Sequence, residues 1–479
     1  MPTVTQALSD FVKTDAGLAA FYASTGKPFG DTWQRTLDEF LLSTMDEIRL
    51  RHAGMACREA LRRFDSEDAD YFRMAVLCRE ISRDIAYQKQ RDHTAHTVYN
   101  WLLGWYLVTH SQSLKTALEK QFIQRNLIST KYTFPEVFGD VFIFVSLLHD
   151  IGYMFEGALT PFDSDASVRQ ASSGMGVVRD YFDHRFWREN KIASMADRVW
   201  LQRALELEDV GPRPASTLSG IADSLRYIGE TDKIRKAVLA EMKAGRIKAP
   251  TCIRTENGLV PDAFQLWKSH FETFSPAMCG MVDAAERVFY SHIESGIDGA
   301  GLRVLDHAMC GGLLLLQYST LYYRVYHGLG ESAPADPTHA RVWAQFRRDG
   351  EGVDYEASFW WTGILWSTAA TAIHNILQIS QSDWPRDIPR PLPLAMETDA
   401  LSYLGVLVDC IQEWDRYTVQ RHSVFGGSLP VQGRDINLDV SGGRVIVSFQ
   451  KSSGRAKKVR GALGEALEDW EAIVGIAEV

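Results

Sequence analysis

Five apolar segments of this chain each carry a histidine or an aspartate inside the apolar run or at its end. In the stretch LLHDIGY at 147–153, His149 and Asp150 close the run VFIFVSLL. The ionisable groups of the other four segments are His93 with His96, His307, His374 and Asp409. A lone buried carboxylate costs several kcal/mol or is forced into its neutral form. A divalent cation shared by several such groups would remove this cost, because neutral imidazoles and carboxylates are its preferred ligands.

Composition limits the class of protein. The chain has 479 residues, of which 46% are hydrophobic, enough for one large domain or a domain with a sizeable insertion. The net charge of −10 excludes a generally basic nucleic-acid binder. The six cysteines form no CxxC pair, which favours reduced thiols. The N-terminal stretch MPTVTQALSDFVKTDAG lacks the basic start and apolar core of a signal peptide, so we expect a cytoplasmic protein.

One stretch is long enough to cross a bilayer. Residues 357–382 run for 26 positions without a charged side chain. Ser, Thr, His, Asn and Gln make up nearly half of these positions, which favours a helix buried in a soluble bundle. We therefore expect no membrane association.

Helical periodicity predominates along the chain, and the predicted fold class is all-α. The predicted helices cover 33–63, 67–90, 97–110, 136–150, 302–326, 358–380, 398–418 and a last segment near 461–475. Alternation around a Gly-containing turn predicts a small C-terminal β-hairpin at 436–449. The predicted domains are N-terminal helices at 1–90, a helical core at 91–420 with an insertion at about 160–300, and a C-terminal hairpin and helix at 421–479.

Helix geometry allows the ionisable groups to share ions. His149 and Asp150 are neighbours and diverge by about 100° on a helix, so a common ion would lie in the wedge between them. His93 and His96 lie on one helix face, where one could bind a metal ion while the other moves a proton. Each residue has an alternative interpretation. A single such histidine is typical of a core side chain bonded to a carbonyl, and Asp409 could be the buried partner of an arginine.

The order of these groups resembles the HD-domain superfamily of metal-dependent phosphohydrolases, in particular its two-metal, phosphodiesterase-like members. LLHDIGY resembles the motif that names the superfamily, and His96 resembles its first histidine. DHAMCGGLLLL and AIHNIL are similar to the two additional histidine helices of the two-metal members. VLVDCIQEWDR resembles the closing aspartate helix, with Arg416 seven residues after the aspartate. The resemblance spans roughly 90–420 and implies an HD-domain-like helical bundle.

The resemblance also implies a site. His96, His149, Asp150 and Asp409 would hold a first ion, and Asp150, His307 and His374 a second, with Asp150 bridging. The ions would be divalent transition metals, drawn from Mn, Fe, Ni, Co and Zn. Asp150 would orient the attacking water, His93 would protonate the leaving oxygen, and Arg416 would hold the phosphate. Alternatively, Arg416 forms a surface ion pair with Glu413 or Asp415.

The expected function is hydrolysis of a nucleotide or another phosphate ester by a water activated by two metal ions. Two alternatives stay open: a di-iron oxygenase of the same fold, and a regulatory or sensor protein with a structural metal site. The expected partner is a phosphate-containing small molecule. Nucleic acid is not indicated, although the basic run KSSGRAKKVRG could contact it, and a homo-oligomer stays open.

Overall fold

Helices make up most of the chain in the computed structural model, and a small sheet lies near the C-terminus. The structure describes residues 1–23, 31–61, 69–84, 93–156, 164–190, 192, 194–205, 207, 211–228, 240, 243–244, 262–295, 305–328, 333–348, 359–379, 384–415, 432–451 and 454–479. The predicted predominance of helices, with a small C-terminal β element, is confirmed over these residues.

In chain order, the α-helices are α1 Val4–Thr14, α2 Ala16–Ala23, α3 Asp31–Leu42, α4 Asp46–Leu61, α5 Ala69–Asp84, α6 His93–His110, α7 Gln112–Gln124, α8 Phe134–Ser146, α9 Ser164–Asp180, α10 Phe186–Glu189, α11 Met195–Leu205, α12 Leu218–Arg226, α13 Ala263–Phe274, α14 Met278–Ser295, α15 His307–Gly328, α16 Pro337–Arg348, α17 Leu365–Ile373, α18 Ala400–Ile411 and α19 Arg455–Ala466. The 3₁₀-helices are His149–Met154, Ile376–Gln378, Gly433–Asp435 and Trp470–Ala472, and π-helical turns cover Tyr181–Arg185 and Trp360–Ile364. The strands are β1 Asn437–Ser441, β2 Arg444–Phe449 and β3 Val474–Glu478.

Two compact units divide the chain. The first unit comprises Met1–Gln124, Ile128–Asp150 and Leu392–Val479, and the second comprises Arg125–Leu127 and Ile151–Pro391. Each unit is therefore built from segments that are distant in sequence.

Close helix packing in the first unit positions its ionisable groups. A Cβ atom added at Gly104 of α6 would lie 2.2 Å from the Phe142 ring of α8, and one at Gly405 of α18 would lie 2.6 Å from Val145 of α8. A larger residue at either position would force the Phe142 ring or the Val145 side chain to move. The three helices are almost wholly buried, and the burial of their many apolar side chains supplies the main driving force for packing. The packing brings the ends of α6, α8 and α18 into one place.

The sheet also belongs to the first unit. β1 and β2 form the predicted antiparallel hairpin, and its turn contains Gly442 and Gly443 at φ values of +60° and +75°. β3 pairs with β2 in parallel, which the sequence analysis did not predict. The helix predicted near 461–475 is wrong over its second half, because α19 ends at Ala466 and Val474 begins β3.

In the second unit, α15 packs against α17. A Cβ atom added at Gly312 of α15 would lie 2.6 Å from the carbonyl oxygen of Thr368 on α17. The Thr368 hydroxyl also accepts a hydrogen bond from the indole of Trp267 on α13, at 3.1 Å. These contacts fix the N-terminal end of α15, where His307 lies, relative to the C-terminal end of α17.

Among the described residues, one segment meets a length and hydropathy criterion for a membrane span. It is Phe134–Met154, and 94% of its most apolar window is buried inside the protein. Buried core helices meet the same criterion, so this is weak evidence for a span. Within the uncharged stretch identified in the sequence, α17 is wholly buried, as expected for a core helix.

Candidate metal centre

Three helix ends of the first unit bring four predicted metal ligands together. His96 lies in the first turn of α6, His149 and Asp150 follow α8, and Asp409 lies in the last turn of α18. His96 Nε2 is 2.8 Å from Asp409 Oδ1, and His149 Nε2 is 3.1 Å from Asp150 Oδ1. His149 Nε2 is also 3.7 Å from Asp409 Oδ1, and His96 Nε2 is 3.8 Å from Asp150 Oδ2. His96, His149 and Asp150 each offer a ligand atom within 4.8 Å of the others, which is close enough to share one ion, and Asp409 Oδ1 lies beside both histidines.

The site is shielded from solvent. Relative exposure is 0% for His96, 2% for His149 and 5% for Asp150. Burial raises the pKa of Asp150, but the nearby His149 and His93 imidazoles outweigh it and hold that pKa well below 3.8. The pKa of Asp409 is likewise held well below 3.8, since the nearby His149 and His96 imidazoles outweigh burial. The site therefore contains two ionised carboxylates.

The imidazole of His149 is oriented by the backbone. Its Nδ1 lies 2.6 Å from the Ser146 carbonyl oxygen, which can only accept, so Nδ1 carries the hydrogen. Nε2 therefore faces the carboxylates. Burial lowers the pKa of His149, but Asp150 and Asp409 outweigh it and raise the pKa above 6.5. The carboxylates thus favour a positive charge beside Nε2, which a proton or a metal ion can supply.

The donor set fits a divalent transition-metal ion. Two imidazole nitrogens and two carboxylates match the preference of such ions for nitrogen and oxygen ligands. The two carboxylates also balance the charge of one divalent ion. A buried His and Asp group that could hold a metal ion is therefore present, as the sequence predicted.

His93, the predicted proton donor, is bonded to this group. Its Nδ1 lies 2.9 Å from Asp150 Oδ2, and its relative exposure is 8%. An ionised carboxylate only accepts, so His93 Nδ1 donates and Asp150 fixes the ring. Its role in proton transfer stays a prediction.

His307 and His374 lie side by side in the second unit, with ring centroids 5.4 Å apart. His307 Nδ1 is 3.1 Å from Glu156 Oε2, and the Tyr153 ring stacks on His307 at 3.9 Å. His374 Nδ1 donates to the Thr371 carbonyl oxygen at 2.7 Å. The expectation that these two histidines bind a second ion together with Asp150 stays a prediction.

Arg416 lies outside the described residues, so the structure does not place it. The two carboxylates considered as its surface partners have other cations nearby. Glu413 pairs with Arg455 and Lys458 of α19, at 2.7 and 2.8 Å. Asp415 pairs with Arg49 at 2.9 Å. Two residues of the C-terminal basic run therefore anchor the segment that follows Asp409.

Sequence reasoning missed the polar residues that hold the ligands in place. Gln412 contacts His96, and Glu156 contacts His307. Asn100 donates from its Nδ2 to His96 Nε2 at 3.1 Å. Gln412 and Asn100 stand three and four residues after a predicted ligand, which places them about one helical turn away. This spacing is the feature of the sequence from which Gln412 and Asn100 could have been identified.

No protein-family model, curated protein or solved structure matches this chain. The resemblance to the HD-domain superfamily therefore rests on the order of the histidine and aspartate motifs, and it stays a prediction.

Proposed function

We propose that this protein is a metal-dependent phosphoric ester hydrolase of the HD type, acting on a nucleotide or another small phosphate ester in the cytoplasm. The observation that supports this most is the convergence of His96, His149, Asp150 and Asp409 within the first unit, at distances of 2.8–3.8 Å between histidine nitrogens and carboxylate oxygens. A dense cluster of ionisable groups is costly to bury in a protein interior. Such clusters are typical of ligand-binding and catalytic sites.

When bound, a divalent ion supplies Lewis acidity, which lowers the pKa of water and offsets charge on phosphoryl oxygens. His96 and His149 would hold it through Nε2, and Asp150 and Asp409 through their carboxylates. The burial of His96 and His149 keeps bulk water from competing for these positions.

The protein's own groups would handle the protons. Asp150 accepts from His93 Nδ1 and so fixes the direction of the His93 ring. A proton held on the other nitrogen of that ring would pass to the leaving oxygen. Arg416 would bind the phosphate through paired N–H donors, which suit the geometry of its oxygens. Hydrolysis is thus assigned to Asp150 and His93, and substrate binding to Arg416.

The test is hydrolysis by the purified full chain, stripped of metal by a chelator and reloaded separately with Mn²⁺, Fe²⁺, Co²⁺, Ni²⁺ or Zn²⁺. Substrates would be bis(4-nitrophenyl) phosphate, mononucleotides and cyclic nucleotides. We expect turnover with at least one ion, and its loss in Asp150→Asn. The matched control is Asp399→Asn, because Asp399 caps α18 by accepting from the Ser402 N–H at 2.9 Å, and asparagine caps equally well.

Two results would contradict the proposal. One is equal turnover before and after metal removal. The other is a metal-loaded protein that hydrolyses none of these esters. In the second case, O₂ consumption by the Fe²⁺-loaded protein would support the oxygenase alternative.

A further inference from the structure

Gln412 links the metal centre to the backbone that follows α18. Its side chain is fully buried. Its Oε1 lies 2.5 Å from His96 Nδ1, and its Nε2 lies 2.5 Å from the carbonyl oxygen of Trp414. The amide therefore lies between a ligand and a backbone carbonyl.

These two contacts determine which nitrogen of His96 carries hydrogen. The Trp414 carbonyl oxygen can only accept, so the NH₂ end of the Gln412 amide must face it. The amide oxygen then faces His96 Nδ1, and since that oxygen can only accept, Nδ1 must donate. In the neutral ring, the lone pair is consequently on Nε2, the atom 2.8 Å from Asp409 Oδ1. A metal ion can bind only the nitrogen that carries the lone pair.

The segment that carries Gln412 is held in place by the contacts of two residues that follow it. Glu413 pairs with Arg455 and Lys458. Asp415 pairs with Arg49 and accepts from the Tyr99 hydroxyl at 3.0 Å. Gln412 is therefore pre-positioned, as the partners of metal-binding histidines usually are.

We propose that Gln412 is a positioning residue that fixes the ring and tautomer of His96 and thereby sets the affinity of the site for divalent cations. This rests on the metal centre of the proposed function, and not on the reaction or the substrate. Partners of this kind typically change metal affinity by about 10- to 100-fold when they are removed.

Two substitutions of similar length separate this role from a general packing role. Gln412→Met removes the acceptor, and we expect it to weaken Mn²⁺ binding by about 10- to 100-fold. Gln412→Glu keeps an acceptor for Nδ1, and we expect Mn²⁺ binding at least as tight as in the wild type. The dissociation constant would be measured on the full chain from the electron paramagnetic resonance signal of free Mn²⁺.

A second readout reports the tautomer. In protein labelled with ¹⁵N-histidine, we expect the His96 ring to show hydrogen on Nδ1 in the wild type and in Gln412→Glu, and to lose this preference in Gln412→Met. The matched control is Gln121→Met. Gln121 is a buried glutamine at the opposite end of α18, where it accepts from the Ala400 N–H at 2.8 Å and donates to the Glu397 carbonyl oxygen at 3.1 Å. Gln121→Met should leave the Mn²⁺ dissociation constant unchanged.

The inference is overturned if Gln412→Met binds Mn²⁺ like the wild type, or if Gln412→Glu weakens binding as much as Gln412→Met does. If Gln412→Met does not fold, Gln412→Glu still decides the matter, since weakened binding or loss of hydrogen on Nδ1 in that variant contradicts the proposal. Wild-type protein that binds no Mn²⁺ would overturn both the inference and the metal centre. Mn²⁺ binding without ester hydrolysis would overturn only the proposed reaction.

Discussion

Replacing Gly152 by alanine should destabilise the second unit strongly. Gly152 belongs to the stretch LLHDIGY, and a Cβ atom added there would lie 1.8 Å from the carbonyl oxygen of His307 and 2.6 Å from the backbone nitrogen of Gly311. Ordinary contacts begin at 3.4 Å, so the His307 carbonyl would have to move by about 1.6 Å (3.4 minus 1.8). Both obstacles are backbone atoms of α15, and neither can rotate away as a side chain would.

Overpacking of a well-packed interior costs about 1–3 kcal/mol. Because two backbone contacts are violated here, we expect Gly152→Ala to lower the free energy of unfolding by about 3 kcal/mol, at the upper end of that range. The displacement would also move His307 relative to Glu156, its partner at 3.1 Å.

The assay is urea denaturation followed by tryptophan fluorescence. The control is Gly280→Ala, an exposed position on α14 where an added Cβ atom meets nothing within 4 Å. Alanine is the better helix former, so this variant should gain about 0.5–1 kcal/mol. If Gly152→Ala unfolds at the same urea concentration as the wild type, the close approach of this glycine to α15 is wrong.

Three further predictions concern ligand binding, pH and a buried ion pair. Mn²⁺ at about 100 times its wild-type dissociation constant should add about 2.7 kcal/mol to the stability of the wild type and clearly less to that of Asp409→Asn, measured by thermal unfolding. The pKa of His270 is held well below 6.5 by burial and by Arg125, so the unfolded chain binds a proton that the folded protein does not. As the pH falls below 6.5, stability should therefore drop by up to about 1.4 kcal/mol per pH unit, and less steeply in His270→Gln, measured by urea denaturation at pH 5–7. Arg49→Met removes the cation that pairs with the buried Asp415 carboxylate. It should lower the free energy of unfolding by about 3–5 kcal/mol in the same assay.

Local sequence patterns predicted much of the fold. The period of apolar residues predicted helices where α6, α8 and α18 lie, and alternation with a Gly-Gly turn predicted the β1–β2 hairpin. β3 was missed because VGIAE is a short apolar run whose partner strand ends 25 residues before it begins. Periodicity cannot separate such a run from the end of a helix.

The candidate site, too, could be predicted from the sequence only in part. The cost of burying ionisable groups indicated that His96, His149, Asp150 and Asp409 gather, and the structure brings them together. The residues that orient them could not be found in this way. Gln412 acts on His96 across 316 positions of sequence, and no local pattern records a contact of that range.

The most direct test of the metal centre is anomalous X-ray scattering at the zinc edge from crystals of the full chain soaked in Zn²⁺. We predict a peak within about 2.2 Å of His96 Nε2, His149 Nε2 and a carboxylate oxygen each of Asp150 and Asp409. The same soak of Asp409→Asn crystals should weaken or abolish that peak. A peak bound by other residues, with none at these four side chains, would contradict the assignment of the site.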